Sequence, residues 1–214
     1  MRAMNSPQTI TLALTGASGM PYGMRLLEHL IASGKRVYLL YSQAAQIVAK
    51  QEMEFTLPAR AQEAQTFLSQ RYAAQADQLH VFGREEWFAP VASGSNPADA
   101  MVICPCTMGT LAAVAQGLSD NLIERAADVM IKEQRPLILV PRETPFSAIH
   151  LENMLKLARL GCVILPANPG FYQHPQSVQQ LVDFVVARIL DHLKIEHSLM
   201  PRWGETGSSE KDAT

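Results

Sequence analysis

Cysteine is scarce in this chain: only Cys104, Cys106 and Cys162 are present. Three thiols cannot build a disulfide framework. Cys104-Pro105-Cys106 is not a C-x-x-C pair and lacks the second half of a zinc site. The three read as reduced, small structural residues. A basic excess is also missing. The net charge of -2 offers no electrostatic footprint for nucleic acid. No apolar run approaches the roughly 20 residues that span a bilayer, and Met1 to Gln8 lacks the apolar stretch of a signal peptide. A cytoplasmic location is the expectation.

What is present belongs to a globular protein. With 214 residues, 48% of them hydrophobic and 18% charged, the chain can bury a substantial core. Residues 1–204 are expected to form one domain, and the polar stretch Glu205 to Thr214 a disordered tail. Short continuous apolar runs alternate with helical periodicity. The strands are Ile10–Thr15, Arg36–Tyr41, Met101–Cys104, Leu137–Val140 and Cys162–Leu165, with a short one near His80–Phe82. Helices are expected over Tyr22–Ile31, from Gln43 to about Lys50, and over Ala61–Tyr72. More follow at Thr110–Ala115, Asn121–Glu133, Ile149–Leu160 (closed by Gly161) and Val178–Leu193. Strands that are apolar along their whole length belong in a parallel sheet covered on both faces. The fold class is therefore three-layer α/β/α, Rossmann-like or flavodoxin-like.

In such sheets ligands bind beyond the carboxyl ends of the strands, and the unusual chemistry of this chain gathers there. The first strand ends in Gly16-Ala17-Ser18-Gly19, a glycine turn that could offer backbone N–H groups to a phosphate at the start of a helix. The second ends in Ser42, the third in Thr107-Met108-Gly109-Thr110, the fourth in Arg142-Glu143-Thr144-Pro145 and the fifth in Gly170-Phe171-Tyr172. Hydroxyls, amides and an arginine suit a phosphate and a flat polar ring, as in FMN. No carboxylate stands where the ribose of NAD would need one, which favours the mononucleotide. Plainer readings accompany each residue. Ser18, Thr107 and Thr110 could be helix caps, Arg142-Glu143 a solvated pair, and Glu52 a charged helix end. Arg125, Asp128 and Lys132 could pair along one helix face, and His150 reads as structural. Trp203, in Pro-Arg-Trp-Gly, either packs on a neighbour or covers a site.

Together these segments resemble the flavin prenyltransferases. The matching stretches are Thr15-Gly16-Ala17-Ser18-Gly19, Ser42-x-Ala44-Ala45, Ala92-Ser93-Gly94-Ser95 and Met101 to Thr107. They continue through Asp120-Asn121-Leu122-Ile123-x-Arg125-Ala126-Ala127-Asp128-Val129, Lys132-Glu133, Arg142-Glu143-Thr144-Pro145, Gly170-Phe171-Tyr172, Pro175-Gln176-Ser177 and Arg202-Trp203. They run in order from about residue 9 to 204. Thr107 stands where that family usually has serine, and keeps the hydroxyl.

The resemblance implies a metal-independent enzyme that joins the isoprenyl unit of dimethylallyl phosphate to N5 and C6 of reduced FMN. The prenylated FMN would serve a partner decarboxylase of ubiquinone biosynthesis or aromatic-acid metabolism. It implies a homo-oligomer, typically a dodecamer with sites at subunit junctions. Carried over, Gly16, Ala17, Ser18, Ser42, Thr107, Met108, Gly109, Thr110 and Arg142 would hold FMN. Lys132, Arg142, Glu143, Tyr172 and Arg188 would hold the allylic phosphate, and Arg125 would lie against the flavin. Glu143, supported by Ser18 and Glu52, would relay protons. Trp203, with Trp87 a second candidate, would steady an allylic cation. Three alternatives stand beside this reading: an FMN-dependent cysteine decarboxylase of similar fold, a direct aromatic-acid decarboxylase, and a non-catalytic flavin carrier.

Overall fold

The computed structural model describes residues 8–201; Trp203 and the expected tail lie outside them. Six strands form one parallel sheet: β1 (Thr9–Leu14), β2 (Arg36–Tyr41), β3 (Leu79–Val81), β4 (Ala100–Cys106), β5 (Leu137–Pro141) and β6 (Val163–Ile164). Their order is β3-β2-β1-β4-β5-β6. The chain works outward from β1 to β3 and then crosses to the other side at β4. The carboxyl ends of β1 and β4 therefore flank the switch point where ligands of doubly wound sheets bind.

Among the described residues seven α-helices cover the two faces: α1 (Met20–Ala32), α2 (Gln43–Glu52), α3 (Ala61–Arg71), α4 (Met108–Gln116), α5 (Leu122–Lys132), α6 (Ala148–Arg159) and α7 (Val178–Leu193). One core joins Leu26, Leu27 and Leu30 of α1 and Val185, Val186, Ile189 and Leu190 of α7 to Ile10, Leu12 and Leu39 of the sheet. The other sets Leu111 of α4, Ala126 and Met130 of α5 and Leu157 of α6 against Met101, Ile103 and Leu139. Each strand thus supplies alternate residues to opposite layers, which explains why the strands read as unbroken apolar runs.

β4 runs two residues beyond its expected end. Its pairing with β5 shifts between Ile103 and Cys106, and the Cys104-Pro105 peptide is cis. Across this irregularity Cys104 packs into the α1–α7 core and Cys106 into the α4–α6 core. All three thiols are buried and unpaired. Burial pushes the Cys104 and Cys106 thiols far up and that of Cys162 to about 11, so almost no thiolate exists near neutral pH. A disulfide-exchange reagent at pH 8 is therefore expected to leave Cys104 and Cys106 unlabelled in the native protein and to label them only in denaturant. Rapid native labelling of either would contradict this packing.

Candidate active site

The loops after β1 and β4 are tied together by one hydroxyl. Thr15 Oγ1 donates to the Pro105 carbonyl at 2.8 Å and accepts from the Thr107 N–H at 2.8 Å. That bond positions the start of α4. Thr107 caps it, its hydroxyl accepting from the Thr110 N–H at 3.1 Å and lying 3.0 Å from Thr110 Oγ1. Between them, Met108 and Gly109 bring first-turn N–H groups that meet no acceptor among the described residues. A Cβ built on Gly109 would find no atom closer than Thr107 Oγ1 at 4.0 Å, so the backbone there is open to approach. Helix dipole, first-turn N–H groups and a threonine hydroxyl at this terminus are the chemistry that suits an anion. Ser42 caps the neighbouring α2 in the same way, accepting from the Ala45 N–H at 3.1 Å.

The start of α1 is different and corrects one expectation. Its N-cap is Gly19, held at φ 115° in the left-handed region, and Ser18 makes no cap bond. Gly19 N–H and Met20 N–H both donate to Glu52 Oε2 at 2.8 Å. Two backbone donors at the start of α1 are therefore bound to a carboxylate that comes from the last residue of α2. Close packing brings it there: a Cβ on Gly16 would collide with the Ala44 methyl. Arg142 leans across the same loop, its Nε donating to the Ser18 carbonyl at 3.4 Å. Tyr22 completes the group. Burial chiefly, then Cys104, pushes its phenol up, with Arg142 opposing and Glu52 adding to the rise. Glu52→Ala is expected to cost about 2 kcal/mol, the scale of hydrogen bonds to a charged acceptor. Glu52→Gln should recover part of this. Urea unfolding measures both, and an unchanged midpoint in the alanine variant would refute the capping role.

Two further groups of expected site residues sit elsewhere. On α5, Arg125 donates through Nε to the Ala92 carbonyl at 2.9 Å and pairs with Asp128 at 2.8 Å, the helical pairing anticipated from spacing. Lys132 pairs instead with Glu133, and the turn at Gly94 lies so close that a Cβ there would strike both side chains. By α7, Tyr172 and Arg188 line an open cavity of 530 Å³ with Phe184, Met200 and Pro201. Arg188 pairs with Asp191 at 2.7 Å, and the Tyr172 ring meets Phe184 edge-on at 5.7 Å between centroids.

One protomer thus brings together Gly16, Ala17, Ser18, Ser42, Glu52, Thr107 to Thr110 and Arg142 around the switch point. Glu143 follows Arg142 and is exposed, its carboxylate accepting from the Thr144 N–H at 3.0 Å. Among the described residues Arg125 bonds to Ala92 and Asp128, Lys132 to Glu133 and Arg188 to Asp191, none of them a member of that group. Arg142 and Glu143 are not paired with each other. His150 forms a reciprocal cap with Ser147 at the start of α6, a structural duty. Thr15 and Tyr22 were not singled out from sequence. A threonine directly before the glycine turn was the available signal for Thr15, whereas nothing local marks Tyr22.

The profile of the Flavoprotein family matches residues 1–190. Flavin prenyltransferase UbiX of Pseudomonas aeruginosa is 60% identical over 202 residues, covering 94% of this chain and 97% of that protein. The crystal structure of AnUbiX (PadA1) in complex with FMN and dimethylallyl pyrophosphate superposes with a TM-score of 0.82 at 38% identity, over 92% of this chain and 98% of that one. A dodecameric FMN-dependent UbiX-like decarboxylase from Escherichia coli O157:H7 gives 0.79 at 37% identity, over 88% and 96%. With such identity along nearly its whole length, the chain belongs to the flavin prenyltransferase family of flavoproteins.

Proposed function

We propose that this enzyme transfers the dimethylallyl group of dimethylallyl phosphate to N5 and C6 of reduced FMN, releasing inorganic phosphate. The observation that carries the reading is the α4 terminus, where the Met108 and Gly109 N–H groups and the Thr110 hydroxyl, itself accepting from Thr107 Oγ1, are the donors suited to an anion, with the Ser18–Arg142 contact on the adjoining loop. These residues, with Gly16, Ala17 and Ser42, would hold the FMN phosphate and the near edge of its ring. Reduced FMN supplies the nucleophilic nitrogen and carbon.

The remaining chemistry falls to charged side chains. Breaking an allylic C–O bond leaves negative charge on the departing phosphate, and Lys132, Arg142, Arg188 and the Tyr172 phenol are the groups to receive it. Ring closure at C6 releases a proton, which Glu143 would carry, with Glu52 and Ser18 behind it. Arg125 would bear on the flavin, and Trp203 would face the allylic fragment. In this reading Arg125, Lys132, Tyr172 and Arg188 would join the switch-point residues at subunit junctions. A dodecamer like that of the E. coli neighbour would supply such junctions. Exposed Phe88 and the exposed Ile149, Leu151 and Leu155 of α6 provide apolar surface for it. The product would pass to a decarboxylase acting on aromatic acids, in ubiquinone biosynthesis or aromatic-acid metabolism. A cytoplasmic setting accords with three unpaired thiols.

The cysteine-decarboxylase alternative would need a histidine on α1 turned toward the switch point. His29 instead lies between α1 and α7, where burial and then Arg25 lower its pKa, with Asp183 and His197 also in range. The test is anaerobic incubation of the protein with reduced FMN and dimethylallyl phosphate, followed by mass spectrometry of the flavin. A flavin heavier by one isoprenyl unit is expected. Bound but unaltered flavin would overturn the proposal and favour a carrier.

A further inference from the structure

An exposed arginine paired at i, i+3 is weakly held, because such pairs gain little against side-chain entropy. Arg188 has more behind it. Its Nη1 donates to Asp191 Oδ2 at 2.7 Å, while the other oxygen of the same carboxylate, Oδ1, lies 3.1 Å from His197 Nε2. A carboxylate only accepts, so Nε2 carries the proton of that bond. The His197 side chain is only 7% exposed, and its buried Nδ1 has no hydrogen-bond partner among the described residues. An imidazole buried with a single polar contact has that contact as its polar anchor. His197 sits just beyond α7, whose C-cap Lys194 has φ 57° and turns the chain back so that Ile195 is buried. Arg188, Asp191 and His197 all line the 530 Å³ cavity with Tyr172.

We infer that Asp191 and His197 are positioning residues for the allylic phosphate: His197 fixes the Asp191 carboxylate, and Asp191 fixes the Arg188 guanidinium beside Tyr172. The inference rests on the proposed reaction and deepens it. Asp191 engages one of the five N–H donors of Arg188, leaving the others to meet an oxyanion in a set orientation. Without the relay, substrate binding must freeze a mobile arginine, which costs roughly fivefold to tenfold in affinity for one long side chain.

The experiment measures dimethylallyl phosphate binding to the FMN-loaded protein by calorimetry, together with KM and kcat for prenylation. His197→Ala and Asp191→Ala are each expected to raise Kd and KM about tenfold with kcat within about twofold and FMN affinity unchanged. The double variant should be no worse than either single one, since both break one chain of contacts. His197→Gln, whose amide N–H can replace the Nε2 donor, should restore most of the affinity. Asp191→Asn keeps the shape and serves if an alanine variant no longer unfolds cooperatively. Unchanged Kd in folded variants, or losses that multiply in the double variant, would overturn the inference alone. Wild-type protein that binds no dimethylallyl phosphate would overturn the proposed function, and the inference with it.

Discussion

Glu143→Gln is expected to slow prenylation by about a hundredfold to a thousandfold while leaving FMN affinity unchanged, the range for loss of a positioned acid or base. Glutamine keeps the oxygen that accepts from the Thr144 N–H at 3.0 Å, so the loop after β5 retains its hydrogen bond. Arg142 keeps its contact with the Ser18 carbonyl. The negative charge and the capacity to carry a proton are what is lost. Anaerobic single-turnover measurements give the rate, and quenching of flavin fluorescence gives the affinity. If the variant turns over within a few-fold of the wild type, the leaving phosphate is the base and Glu143 only a binding group.

The largest stability effect is expected at Gly23, inside α1. A Cβ there would run into the Cys104 carbonyl oxygen and stand 2.6 Å from Leu14 Cδ2. The first obstacle is backbone and cannot rotate away, so α1 must lift off β4. Overpacking of this kind costs about 3 kcal/mol. Lifting α1 would also disturb the Thr15–Pro105–Thr107 tie, so FMN affinity should fall with stability. Gly34 is the control. Nothing lies within 4 Å of a Cβ there, but its φ of +70° is in the left-handed region. Gly34→Ala should therefore cost about 1 kcal/mol of backbone strain without touching FMN binding. Urea unfolding of the two variants separates crowding from strain, and equal losses would contradict the packing described for α1.

Features decided by near neighbours in the chain were legible in the sequence. The spacing of Val178, Leu181, Val182, Val185, Val186, Ile189, Leu190 and Leu193 marked out α7 with its observed bounds. Thr107 as a cap and Arg125 with Asp128 as a pair follow from offsets of three residues. What was missed came from distant parts of the chain. α1 begins at Met20, two residues before its expected start, because Glu52 supplies a cap from more than thirty residues away. β4 continues past Pro105 because its pairing with β5 shifts there, whereas proline ordinarily argues against a continuing inner strand. Lys132 pairs with its neighbour Glu133 and not along the helix face, in a place where the turn at Gly94, distant in the chain, packs close to both side chains. Of the site, residue types at the strand ends were readable; which donors remain open was not, since that depends on where Glu52 lands.

The position of Glu52 also bears on what the fold refuses. In sheets of this strand order a dinucleotide lays its pyrophosphate on the first helix terminus. Here that terminus already holds an anion belonging to the protein, bound through two N–H groups. An incoming pyrophosphate would have to evict a carboxylate that can never diffuse away, and would meet its repulsion otherwise. The chain therefore carries a tethered competitor against NAD-like ligands at that terminus, and the proposed function would set the mononucleotide phosphate on the other side of the switch point, at α4.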